Sequence, residues 1–148
     1  ALAQVYRNLN GQAPDLDNAN DLINFFDLVQ QARQANLLLS YHDRSDGGLL
    51  TTLVEMAFAG RCGLDINLNE AQEPLSLLFN EELGAVVQVL DNRSSEFEAL
   101  TQRFALLDCV TQIASVNDKG QIIVRHGSQI LISKSRAELQ RQWAATSY

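Results

Sequence analysis

Within Tyr41-His42-Asp43-Arg44-Ser45-Asp46-Gly47-Gly48-Leu49 lie two carboxylates, a hydroxyl, a guanidinium, an imidazole and two glycines. Leu37–Leu39 lead in as an apolar run, and a helical pattern from about Gly48 to Ala59 leads out. The stretch therefore reads as a strand-to-helix turn. Glycines remove Cβ atoms where backbone must bend sharply or approach a ligand. Backbone N–H groups opening a helix lack intrahelical partners, and the dipole there is positive, so such a turn can hold an anion. Asp43 and Asp46, three apart with Ser45 between them, suit Mg²⁺, which takes oxygen ligands and few protein groups. The plainer alternative is that Asp46 or Ser45 only caps the helix, the commoner use of these residue types. Arg44 suits a phosphate as a two-pronged donor, or a pairing with Asp43 or Asp46. His42 has general-base chemistry, but a lone His before a turn is more often a structural hydrogen-bonder, and no catalysis is assigned to it.

A second stretch with chemistry is Phe79-Asn80-Glu81-Glu82, just ahead of an apolar strand. Its carboxylates can accept hydrogen bonds from a substrate amide or ribose, or simply lie in a solvated loop. Cys62 sits in Arg-Cys-Gly with no His or nucleophile elbow nearby, so a buried small thiol is the reading. His42, Cys62, Cys109 and His126 lack zinc-like spacing.

These residues must be positioned by the elements around them. Residues 1–9 read as the tail of a helix ending near Asn10-Gly11, and Gln12 to Asp17, with Pro14, as an extended connector. Asp17 or Asn18 can cap a helix whose Leu22, Phe25, Phe26 and Val29 recur at i, i+3, i+4 and i+7, running to about Ala35. Leu37–Leu39 form a short buried strand. The helix after the glycines turns Leu49, Leu50, Leu53, Val54, Met56 and Ala57 to the core and Thr51, Thr52 and Glu55 to water. Gly60–Gly63 closes it, and Leu64–Leu68 alternates as a half-buried strand. Pro74 opens a short helix with Leu75, Leu77, Leu78 and Phe79. Ala85–Leu90, near-continuously apolar, predicts a central strand. Ser94 or Ser95 caps a helix carrying Phe97, Leu100, Phe104 and Leu107. Val110–Val116, Ile122–Arg125 and Ile130–Ile132 are three short strands, turned at Asn117–Gly120 and His126–Ser128. Ser135 starts a last helix with Leu139 and Trp143. The order predicts an α+β class, a mixed β-sheet flanked by helices.

At 148 residues with 46% hydrophobic and 20% charged side chains, the chain suffices for one globular domain with its own core. A net charge of −7 argues against a nucleic-acid surface, and no apolar run is long enough to span a membrane. Any phosphate site must then rely on backbone amides, a few bases or a metal. Two cysteines are too few for a disulfide framework, and reduced cytoplasmic thiols are expected. The absence of an initiator Met and of a signal peptide, with a start inside a helix-like stretch, suggests a piece of a longer chain.

His42-Asp43-Arg44-Ser45-Asp46-Gly47-Gly48-Leu49, followed by Leu78-Phe79-Asn80-Glu81-Glu82-Leu83-Gly84-Ala85-Val86-Val87, resembles the large bacterial phosphoribosylformylglycinamidine synthases, also called formylglycinamide ribonucleotide amidotransferases. The resemblance is to the C-terminal subdomain of their second half, of the aminoimidazole-ribonucleotide-synthetase superfamily, and runs from Ala1 to Trp143. It implies an α/β/α sandwich with partial likeness to a ferredoxin-like arrangement. Residues 1–17 would then be a helix and connector from the preceding subdomain, and 18–148 the C-terminal-like domain. It implies ATP and Mg²⁺ as cofactors, formylglycinamide ribonucleotide as substrate, and the enzyme's remaining domains as partners. By resemblance Asp43 binds Mg²⁺ and Ser45 contacts ATP, with Gly47 and Gly48 in the nucleotide turn, while Asp46 keeps the capping role. The matching segment of the family's first half reads Glu-Ser-Gln and contacts the ribonucleotide. Here only Glu81 matches, so it alone is a possible substrate contact, with Glu82 and Leu83 replacing the rest. The glutaminase Cys and the glycine-rich nucleotide loop of the family lie outside this chain, so the piece is expected to be inactive alone. The alternative role is non-catalytic: a subdomain holding an auxiliary, structural nucleotide.

Overall fold

The structure, a computed structural model, describes residues 1–8, 15–16 and 18–145. The expected helix end at Asn10-Gly11 and most of the connector, with Pro14 and Asp17, fall outside the described residues. The chain divides into two compact units, one of Ala1–Gly11, Arg44–Glu81 and Ile113–Tyr148, the other of Gln12–Asp43 and Glu82–Gln112. Helices and strands alternate irregularly through both, and the class is α+β, as the patterning predicts.

The first unit carries a short helix α1 (Leu2–Val5), α3 (Gly48–Gly60), β2 (Gly63–Leu68), α4 (Pro74–Phe79), β4 (Ala114–Asn117), β5 (Gln121–His126), β6 (Gln129–Ser135) and α6 (Arg136–Ala145). Its sheet is mixed, in the order β4-β2-β5-β6, with β2 parallel to β5 and the other neighbours antiparallel. The two central strands supply its most buried side chains, Ile66, Ile122 and Val124. Helix α3 adds Leu53, Ala57 and Phe58, and α4 adds Leu78. Thr52, read as polar-face, is also buried. Its hydroxyl bonds back to the Gly48 carbonyl at 3.1 Å, so no polar group is stranded. Asp65 on β2 draws three strands together, accepting from Asn117 of β4 at 2.9 Å and Arg125 of β5 at 3.1 Å. Ser135 stands at the start of α6, as expected, and caps it, accepting from the Glu138 N–H at 3.1 Å. On α6, Trp143 stands against Phe58 with ring centroids 6.0 Å apart, and its indole N–H donates to Glu55 at 2.8 Å. Val110–Val116 is shorter than expected: the strand proper starts at Ala114, although the Ile113 carbonyl still accepts from Asn67 at 2.9 Å.

The second unit carries α2 (Ala19–Gln34), β1 (Leu38–Asp43), β3 (Ala85–Val89) and α5 (Ser94–Arg103). Asn18 caps α2, accepting from the Asn20 N–H at 3.1 Å. The buried residues of α2 are Leu28 and Ala32, while Phe26 is 61% exposed and Leu22 45%. The apolar stripe is thus rotated from 22/25/26/29 to 25/28/29/32, two sets that share Phe25 and Val29. Arg93 closes the C-terminal end of α2, donating to the Asn36 carbonyl at 2.9 Å and to Ala35 at 3.3 Å, with Glu96 on its other side at 2.8 Å. Neither Ser94 nor Ser95 caps α5: the chain enters through a 3-10 turn, and the Ser94 hydroxyl donates to the Asp91 carbonyl at 2.8 Å. Leu106, not Leu107, is the buried residue beyond α5.

β3 corrects the expectation of a central strand. It pairs with β1 alone among the described residues, antiparallel, with Tyr41 opposite Val87 and Asp43 opposite Ala85. All five of its residues are half-buried. Near-continuous apolarity reports partial cover on both faces of a strand, not a neighbour on both edges.

Candidate functional site

The sequence places the nine-residue stretch in one turn, and the structure distributes it between a strand and a turn. Tyr41, His42 and Asp43 are the last three residues of β1, in the second unit. The turn proper is Arg44–Gly47, in the first unit, and α3 starts at Gly48.

Within the turn, Gly47 has φ +86° and Gly48 φ +69°, two successive left-handed residues that only glycine adopts without strain. The Gly48 N–H donates to the Ser45 carbonyl at 2.9 Å and tightens the loop. Space is as restrictive as conformation. A Cβ on Gly48 would stand 2.8 Å from the Phe79 Cα and the Asn80 carbonyl oxygen. A Cβ on Gly47 would stand 2.2 Å from the Thr51 hydroxyl, which donates to the Gly47 carbonyl at 3.1 Å. So the end of α4 lies directly on the turn. From there Glu81 reaches the Gly47 N–H, accepting it at 2.8 Å. The Gly47 N–H foremost holds the Glu81 carboxyl below its ordinary value.

Gly47, Gly48, Glu81 and the Ser45 backbone are therefore brought together in the first unit. Asp46 does not cap α3: the N-cap position falls on Gly47, which has no side chain to accept, and Asp46 is exposed. The acceptor that serves this turn comes from Glu81, far along the chain. Asp43 belongs to the second unit, where β-strand alternation puts it on the same face as Tyr41. The Tyr41 hydroxyl donates to Asp43 Oδ1. Burial first, and then this bond and the Asp43 charge, push the Tyr41 phenol up to about 12. His42 Nδ1 lies 2.7 Å from the Asp43 carbonyl oxygen, a structural role as expected.

Sequence reasoning missed Tyr41, although its i, i+2 spacing from a strand-borne Asp43 was the available signal. It also missed the Glu81–Gly47 bond, which no local signal announces. Among the described residues no three His, Cys, Asp or Glu side chains gather as a metal cluster. Cys62 is half-buried and Cys109 exposed. No helix among the described residues is long and apolar enough to cross a membrane.

Several solved structures share the fold. Thermotoga maritima PurL complexed with FGAR superposes with TM-score 0.68 at 16% identity, over 78% of this chain and 20% of that one. The same protein complexed with ATP gives 0.66 at 16%, over 78% and 21%. Phosphoribosylformylglycinamidine synthase II from Thermotoga maritima gives 0.70 at 14%, over 84% and 22%. The chain thus spans about a fifth of the length of these structures. At such identities the likeness is one of fold. The family described as AIR synthase related protein, C-terminal domain, matches residues 2–127. With most of its length inside that match, the chain belongs to the AIR synthase related protein C-terminal domain family.

Proposed function

We propose that the chain is the C-terminal-like domain from the second half of a phosphoribosylformylglycinamidine synthase, acting in the cytoplasm with the enzyme's other domains. The observation that carries the reading is the Gly47–Glu81 bond, which joins the two motifs on which the resemblance rests. Neighbours in complex with FGAR and with ATP support it. The whole enzyme would convert formylglycinamide ribonucleotide, ATP, glutamine and water into the amidine, ADP, phosphate and glutamate. ATP would phosphorylate the amide oxygen, and ammonia released from glutamine elsewhere would displace the phosphate. Residues 1–17 would then belong to the preceding subdomain. Val5 of α1 and Tyr6 just after it, 77% and 76% exposed, support a face that such a neighbour covers.

In this reading Ser45 contacts the nucleotide, and Gly47 and Gly48 give the turn its shape, since both their N–H groups are already bonded within the protein. Asp43 would be the Mg²⁺ ligand. Its donor set fits that ion in one way only. A single exposed carboxylate steadied by Tyr41 cannot hold a bare cation, but Mg²⁺ usually takes one or two carboxylates and fills its shell with phosphate and water. Bound there, Mg²⁺ would neutralise charge on the transferring phosphoryl.

The test is Asp43→Asn in the full-length enzyme. Asn keeps the shape but removes the charge, so Mg·nucleotide binding should weaken while glutamine hydrolysis persists. Asp46→Asn removes the same charge from an exposed side chain and should be mild. Equal mildness at both positions overturns the metal assignment. Loss of thermal stability with turnover intact would place Asp43 at an auxiliary, structural nucleotide instead.

A further inference from the structure

We propose that Glu81 is a positioning residue for the glycine turn, and does not contact the amide substrate. The inference rests on the reading that this turn serves a nucleotide. The turn lacks a side-chain cap of its own: its N-cap residue is Gly47, left-handed like Gly48 after it, and has no side chain to accept. Glu81 supplies that acceptor at 2.8 Å. It can reach because α4 ends at Phe79 and Asn80 turns to extended geometry, φ −67° and ψ 127°, with its backbone against Gly48. The close approach of Phe79 and Asn80 to Gly48 is a second, independent lock on the same arrangement. A negative group at the opening of α3 is also favoured by the helix dipole. The carboxylate that the family pattern suggests for substrate contact is thus committed to the turn.

The consequence is a split between acceptor and charge. Gln at position 81 keeps an oxygen able to accept the Gly47 N–H, whereas Ala removes it. The experiment uses the full-length enzyme, with hydrogen exchange over residues 44–52 and calorimetric titration with Mg·ADP. Glu81→Ala should raise exchange in the nucleotide-free enzyme and weaken Mg·ADP about tenfold, the usual scale for losing an outer support of a binding group. Glu81→Gln should restrain exchange and hold Mg·ADP affinity within about twofold, with KM for the amide substrate unchanged in both variants. Unaltered exchange in Glu81→Ala overturns the inference. So does a raised KM for the amide substrate with nucleotide affinity intact, which would mark a substrate contact. Faster exchange without any nucleotide effect also overturns it. Asp43→Asn then tells whether the nucleotide reading falls too: a normal Mg·ADP affinity there removes the site, and a weakened one removes only the role of Glu81.

Discussion

Gly48 is the residue at which the turn is least negotiable. A Cβ there meets backbone, at Phe79 and Asn80, and the φ of +69° adds conformational strain. Gly47 has a similar φ, but its Cβ would meet only the Thr51 side chain: the hydroxyl at 2.2 Å can rotate away at the loss of one hydrogen bond, which leaves a tight contact with the Thr51 Cβ at 3.0 Å. Gly48→Ala should therefore cost about 2–4 kcal/mol of unfolding free energy and Gly47→Ala about 1–2, measured by denaturant titration. Equal costs would mean that backbone strain, and not the approach of α4, sets the requirement. The glycines were legible in the sequence because their chemistry is local. Their reason was only half legible: they read as a sharp bend or an approach to a ligand; the bend is there, and the close approach at Gly48 is that of Phe79 and Asn80. Asp46 was misread as a cap for the same cause. The acceptor at the turn is Glu81, and no reading of residues near Gly47 finds a partner 34 positions away.

Among the elements, those specified by neighbouring residues were legible and those specified by distant packing were not. Asn18 and Ser135 cap their helices because a cap needs only the next few residues. Pro74 opens α4 for the same reason, with Glu73 accepting from the Ser76 N–H at 2.7 Å. The edges of β3 and the buried stripe of α2 depend on what packs against them, and both differ from expectation. The first unit's sheet has its own pH signature. Asn117 foremost, and Arg125 beside it, hold the Asp65 carboxyl below its ordinary 3.8, and Glu81 and Glu73 likewise lie below 4.5. A depressed folded pKa means that the unfolded chain takes up protons first. The stability these groups confer is complete above the unfolded values and is lost as pH falls through the folded ones. Melting temperature should hold as pH is lowered to about the ordinary carboxylate range and fall below it. Asp65→Asn should flatten that acid limb, and an unchanged limb would exclude Asp65 as a contributor.

At the scale of the whole chain, the backbone passes between its two units in the middle of both motifs, at Asp43–Arg44 and at Glu81–Glu82. The strand-borne Asp43 and the turn-borne Ser45, with only Arg44 between them, are thus assigned to different compact units. The chain spans about a fifth of the structures it resembles, so most nucleotide contacts in the proposed enzyme would come from other domains. The chain as it stands should fold, its local patterns being consistent with its elements, and bind Mg·ATP more weakly than micromolar. Calorimetry giving a micromolar or tighter constant would mean that the nucleotide site is complete within these residues.

Trp143 is the only tryptophan in the sequence, and it lies on α6 against Phe58 and Glu55 of α3. Excited apart from the three tyrosines, it is a single fluorophore on α6, packed against the helix that the glycine turn launches. Its emission wavelength follows the hydration of that α3–α6 contact. A denaturation curve traced by tryptophan emission is therefore read from a contact within the first unit. Circular dichroism reads helices of both units, and any gap between the two midpoints measures how independently the units unfold.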